Sequence, residues 1–132
     1  MSESLSLFKE VQSGGYQACL ATTFALDFGF YEEVLLRRMR AKGVHHHFLM
    51  VDERMASQAL MARPPEKIGV QYTLATMRTP QAFHPKVLLL LGEKKGLLAV
   101  GSHNLTLSGF GLNLEVTSVL RYDNADTSQL AL

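Results

Sequence analysis

The stretch His84-Pro85-Lys86-Val87-Leu88-Leu89-Leu90-Leu91, with Gly96-Leu97-Leu98-Ala99-Val100-Gly101 shortly after it, decides how the chain is arranged. Val87 to Leu91 is apolar at every position, as the central strands of covered sheets are. Pro85 has no N–H for a ladder hydrogen bond, so it belongs at the beginning of that strand or at an edge. Side chains alternate along a strand, which sends His84 and Lys86 to one face and Pro85 to the other. A second strand is expected over Gly96 to Val100. It runs into Gly101-Ser102, with Ser102 and Asn104 sharing a parity if the strand geometry persists. A third strand, Leu114 to Leu120, is expected to turn Glu115 to the side opposite Leu114, Val116 and Leu120. Three strand ends thus point to one place.

The residues at those ends are chemically selective. His84 offers an imidazole nucleophile, and Lys86 offers a fixed positive charge. Ser102 and Asn104 are neutral hydrogen-bond donors, and Gly101 lets an anion approach the backbone closely. Glu115 supplies a carboxylate able to orient the histidine. Together they provide what metal-free attack on a phosphodiester needs.

The order His-x-Lys, then Gly-Ser-x-Asn, then a carboxylate resembles the phospholipase D-like superfamily. Asn104-Leu105-Thr106 with the downstream Glu115 is most similar to its nuclease branch, which includes metal-independent restriction endonucleases and related DNA-processing proteins. The resemblance spans His84 to Glu115, about a quarter of the chain. One position departs from the pattern. Leu91 stands where the fuller motif carries an aspartate, which weakens a lipid-hydrolase or lipid-synthase reading and leaves Glu115 as the replacement carboxylate.

The resemblance implies a phospholipase D-like α/β sandwich with one half-site per chain. Such a site is generally built from two His-x-Lys motifs, and this chain has one. Either two identical chains pair as a homodimer, or a second half-site lies on other sequence. The implied chemistry is two-step phosphoryl transfer through a covalent phosphohistidine on His84. Lys86, Ser102 and Asn104 would bind the substrate phosphate, and Glu115 would hold the imidazole. It requires no metal and no cofactor. Nucleic acid, DNA rather than RNA, is the implied partner. A non-catalytic module binding nucleic acid or a partner within a restriction- or helicase-type assembly stays open as the alternative, and a phospholipase as a third.

Composition sets the outer limits. The 132 residues suit a single domain with one core, and 47% hydrophobic with 19% charged residues describes a globular chain. No apolar run approaches the ~20 residues of a membrane span. The opening Met1-Ser2-Glu3-Ser4 lacks the order of a secretory signal, and the lone Cys19 permits no intrachain disulfide. A cytoplasmic location is therefore expected, with Cys19 a small core residue. The net charge of +1 requires any nucleic-acid-binding potential to be local. Arg37, Arg38, Arg40 and Lys42 cluster on one helix, where a solvated face is the ordinary explanation.

Outward from the motif, strands and helices alternate, which argues a mixed sheet covered by helices. An opening helix is expected over Ser4 to Val11, stopped by Ser13-Gly14-Gly15. Tyr16 to Phe24 reads as a strand. Asp27 then caps a helix with an apolar stripe at Phe30, Val34, Leu35 and Met39, ended by Gly43. Val44 to Val51 is a strand, Asp52 to Met61 a helix closed by Pro64-Pro65, and Ile68 to Leu74 a further strand. Thr76 to Phe83 is a loop leading to the motif. Asp123 to Asp126 is a turn, and Thr127 to Leu132 reads as the start of a helix, suggesting the front portion of a longer protein.

Other residues have plainer readings. His45 and His47 share a strand face, so only those two of the three consecutive histidines are able to ligate together. No cysteine nearby completes a metal site. Asp27 and Asp52 follow strands, where ligand sites gather in α/β sheets, yet helix capping explains both. His103 points away from Ser102 and Asn104 by parity. Asn113 reads as a turn or strand-start residue, and Arg78 as a surface residue within reach of a substrate phosphate.

Overall fold

The apolar run at Val87 forms an interior strand of one sheet. A computed structural model of the chain describes residues 3–81, 86–101 and 113–123, with backbone alone for 3–8 and 113–117. The strands are β1 (Glu3–Ser6), β2 (Tyr16–Thr23), β3 (His46–Asp52), β4 (Thr73–Met77), β5 (Val87–Gly92), β6 (Lys95–Gly101) and β7 (Asn113–Asp123). Helix α1 is Leu7–Gln12, α2 covers residues 28–41, and α3 is Glu53–Ala62. Sheet order is β1-β7-β6-β5-β2-β3-β4. β2, β3 and β4 run parallel, while each of the other neighbouring pairs is antiparallel. The architecture is the mixed α/β sheet that the alternation of elements predicts.

Two aspartates start the long helices by the same device. The Phe30 N–H donates to Asp27 Oδ1 at 3.0 Å, and the N–H groups of Arg54 and Met55 donate to Asp52 Oδ1 at 3.0 and 3.2 Å. Each side chain satisfies donors that have no partner within the helix. Helix α2 changes pitch along its length: α-helical at Phe28–Phe30, π-helical at Tyr31–Leu36, and α-helical again at Arg37–Ala41. Gly43 closes it with φ of 95°, a value a side chain would oppose.

The core lies between the helices and one face of the sheet. Phe28, Tyr31, Leu36 and Met39 of α2 are buried with Leu49 and Val51 of β3, Leu88 and Leu90 of β5, and Leu97 and Ala99 of β6. The helix joining β2 to β3 and the helix joining β3 to β4 follow parallel strands laid down in one direction. Right-handed crossovers then place both on the same side. On the opposite face Phe48, Leu91, Val100 and Leu120 are 37–47% exposed. The expectation that Val87 to Leu91 is covered on both faces is thus met on one face among the described residues.

Local reading is corrected in three places. Residues 4–11 are not one helix: Glu3–Ser6 pairs antiparallel with residues 113–116 of β7, and α1 starts only at Leu7. An edge backbone far away in sequence supplies the ladder partners, and tertiary pairing overrides the local pattern. The strand expected from Ile68 starts at Thr73, because residues 67–72 fold into a turn with Gly69 at φ 77° and its N–H bonded to the Tyr72 carbonyl at 2.8 Å. The third correction is a register shift in β7: Val100 pairs with Ser118 but Gly101 pairs with Val116. Thr117 is an extra residue in the ladder, so the pairing of 113–116 does not continue the register of 118–123. The helix expected from Thr127 lies outside the described residues. Among those described, no helix is long and apolar enough to cross a membrane.

Candidate active site

Residue pairing across β2, β5, β6 and β7 builds a row at one end of the sheet. Thr22 pairs with Val87, Val87 with Val100, and Val100 with Ser118. Immediately beyond, the Lys86 carbonyl accepts a hydrogen bond from the Gly101 N–H at 2.9 Å, and Gly101 pairs with Val116. Glu115 is next along β7, paired with Ser4 of β1. The register therefore brings the backbones of Lys86, Gly101 and Glu115 into neighbouring rows on three adjacent strands. The bulge at Thr117 advances this end of β7 by one residue against β6, a feature typical of strands beside functional sites.

Of the residues singled out from sequence, Lys86 is half-buried directly before β5, and Glu115 lies within β7. Asn113 opens β7 opposite Ser6, as a strand-start residue. His84, Ser102, Asn104 and His103 lie outside the described residues. In sequence His84 stands two positions before Lys86, and Ser102 follows Gly101 directly.

The segment that leads to His84 and Lys86 is held at both ends. The last residues of β3 and β4, Asp52 and Met77, are register partners, so the chains leave the sheet side by side. Glu53 and Arg78 then meet in a two-pronged ion pair, Nε to Oε2 at 2.7 Å and Nη2 to Oε1 at 3.1 Å. Arg78 holds the Glu53 carboxyl below its usual range, and Glu53 raises the guanidinium in turn. The Gln81 carbonyl accepts from Arg54 Nη2 at 3.1 Å and from Thr79 Oγ1 at 2.6 Å. At the far end the Val87 N–H donates to Thr22 Oγ1 at 2.9 Å. Sequence reading left Glu53, Arg54 and Thr22 unremarked. The capping aspartate at Asp52 was the available signal, since it sets the residues after it at the sheet end.

The remaining candidates have structural roles. His47 is buried; its Nε2–H donates to the Val44 carbonyl at 2.6 Å, leaving Nδ1 to accept from the Tyr31 hydroxyl at 3.3 Å. Burial lowers its pKa, the Val44 bond opposes that, and Arg40, His45 and His46 add to the lowering. His45 is exposed while His47 faces the core, so the two do not share a face. Among the described residues no cluster of three or more His, Cys, Asp or Glu is arranged to hold a metal ion. Asp27 and Asp52 cap helices, as capping chemistry predicts. Cys19 is buried in the core, its thiol pushed up to about 12 by desolvation. Arg37, Arg38, Arg40 and Lys42 lie at the C-terminal end of α2, which leads into the first residues of β3 and so sits at the other end of the sheet from Lys86. A groove of about 460 Å³, lined by Ala18, Leu20, His46, Phe48 and Leu91 among others, also belongs to that other end, where Ala18 pairs with Leu91.

No protein-family model matches the chain, and no curated protein does. Solved structures do. A variant of yeast tyrosyl-DNA phosphodiesterase superposes with a TM-score of 0.57 at 14% identity, covering 91% of this chain and 31% of that one. The parent yeast tyrosyl-DNA phosphodiesterase gives 0.53 at 13% identity, with 91% and 33% covered. NucT from Helicobacter pylori gives 0.50 at 13% identity, covering 99% of this chain and 90% of that one. The chain spans about a third of the length of the yeast phosphodiesterase. The mixed sheet, its strand order and these superpositions together give the chain a phospholipase D-like α/β fold.

Proposed function

We propose that this chain is a single-domain, metal-independent phosphodiesterase that cleaves DNA through a phosphohistidine on His84. The observation that carries this reading is the row at the sheet end. Lys86, Gly101 and Glu115 come from three strands to adjacent backbone positions, with His84, Ser102 and Asn104 within three residues of Lys86 or Gly101 in sequence. Similarity to a tyrosyl-DNA phosphodiesterase supports phosphodiester chemistry on DNA.

In the first step the His84 imidazole attacks phosphorus, a P–N bond forms, and the P–O bond to the leaving strand breaks. The departing oxygen takes a proton from the corresponding histidine of a second copy. That histidine then removes a proton from water, whose oxygen displaces His84 and releases the phosphate end. Lys86 and Asn104 stabilise charge on the non-bridging oxygens, with Ser102 adding a contact, and Glu115 fixes the His84 tautomer. A two-fold axis through the sheet end supplies the second motif, so the active form is a homodimer. A cytoplasmic location accords with the buried free thiol at Cys19.

The test is incubation with labelled single- and double-stranded DNA in EDTA, alongside His84→Ala. Cleavage by wild type and none by the variant is the expected result. DNA binding with no cleavage by either would replace this reading with a binding module, and restoration by Mg²⁺ of activity lost in EDTA would overturn the metal-free mechanism.

A further inference from the structure

Resting on that reading, we infer that Glu53, Arg54 and Arg78 are positioning residues that tether the segment carrying His84 and thereby set the turnover rate. The segment's task is set by strand order. β4 and β5 are separated in the sheet by β3 and β2, so residues 78–86 have about 14 Å of sheet end to cross. A connection of that kind has backbone groups to satisfy and conformational entropy to lose before a side chain on it can be held still. Its described residues show where order comes from. The first turn of α3, fixed by the Asp52 cap, presents Glu53 and Arg54 side by side. Glu53 takes the entry of the segment through both guanidinium contacts of Arg78, and Arg54 takes the Gln81 carbonyl, three residues before His84.

These contacts are exposed, with Arg78 84% and Glu53 38% accessible in their side chains. Surface pairs of this sort contribute little to global stability. Their geometry instead serves placement. A planar two-pronged pair fixes orientation as well as distance, and a carbonyl receiving two donors fixes a peptide plane. The nucleophile of an in-line displacement needs that precision, since misplacement by about 1 Å costs on the order of a hundredfold in rate. Thr22, bonded to the Val87 N–H, anchors the exit by the same logic.

The test uses the full chain and a charge swap: Glu53→Arg, Arg78→Glu, the double variant, and Arg54→Ala. Two readouts are taken, steady-state cleavage of labelled DNA and hydrogen exchange of the backbone over residues 79–87. Each single charge reversal and Arg54→Ala is expected to lower kcat roughly 10- to 100-fold with KM near wild type. Exchange over those residues is expected to rise while the core stays protected. The charge-swapped double is expected to recover both readouts, which a merely destabilised protein would not do. Unchanged exchange in the single variants overturns the tether whether or not the protein cleaves DNA, and raised exchange with unchanged kcat overturns its part in catalysis. Absence of cleavage by wild type counts against the phosphodiesterase reading alone, and the exchange readout then decides the tether by itself.

Discussion

The carbonyl of Lys86 accepts the N–H of Gly101 at 2.9 Å, one position past the ladder pair of Val87 with Val100 that ends β5 against β6. This single bond ties the segment bearing His84 to the segment bearing Ser102 and Asn104. Replacing Gly101 by Pro removes the donor and leaves the half-buried Lys86 carbonyl without it. The expected loss is about 1–3 kcal/mol of stability, with cleavage falling further than stability does. Gly101→Ala keeps the N–H and is expected to lose less of both. Urea denaturation beside DNA cleavage checks the pair.

Glu32, on the π-helical stretch of α2, gathers three donors from across the fold. Its carboxylate accepts from the N–H groups of Glu66 and Lys67 and from the Tyr72 hydroxyl at 2.8 Å. Neighbouring Glu33 pairs with Arg63. Burial, then the contact with Glu32, raises the Tyr72 hydroxyl well above its usual range. Glu32→Ala strips partners from a buried tyrosine and a turn, with an expected cost of about 2–3 kcal/mol in urea denaturation. Glu33→Ala, which loses an exposed pair, is expected to cost under about 1 kcal/mol.

His47 makes stability depend on pH in a known direction. Burial holds its pKa below the usual 6.5, so below that value the unfolded chain binds the proton more readily than the folded one. The stabilisation is fully present above the unfolded pKa and is lost as pH falls from about 6.5 toward the folded pKa. Substituting His47 by Gln is expected to flatten the dependence of unfolding free energy on pH in that window. An undiminished slope in the variant would assign it to other groups.

Cys19 offers a probe of the core. With its thiol buried and raised to about 12, it is expected to resist a thiol-reactive disulfide at neutral pH and to react fully in denaturant. Reaction in native buffer at the rate of a free thiol would show that the β2 core opens locally.

Several of these features were legible from sequence because they are local. The apolar run of β5, the stripe of α2 and the capping aspartates Asp27 and Asp52 each follow from residues within one or two turns of themselves. The neighbouring ends of β5 and β6 at Lys86 and Gly101 were also readable, since Pro85 and Gly101 mark where the two apolar runs begin and stop. What escaped depends on distant partners. Glu3–Ser6 becomes a strand only because residues 113–116 offer it a ladder. The bulge at Thr117 exists only in relation to Val100 and Gly101. No periodicity in Ile68 to Tyr72 announces that Glu32 will hold the preceding residues in a turn. The tether has the same character, for Glu53 and Arg78 are an ordinary surface acid and base until the parallel pairing of β3 with β4 sets them together.

The pairing of β1 with β7 has a consequence for biosynthesis. Residues 3–6 leave the ribosome ahead of their ladder partners at 113–116, which follow on the order of ten seconds later at ordinary rates of translation. Through that interval the opening segment has no strand to join, and the edge beside Glu115 does not yet exist. The rim beside Glu115 is thus, among the described strands, the last piece of sheet to close on a nascent chain, and an N-terminal fusion that delays closure would leave β7 as an open edge for another chain to occupy.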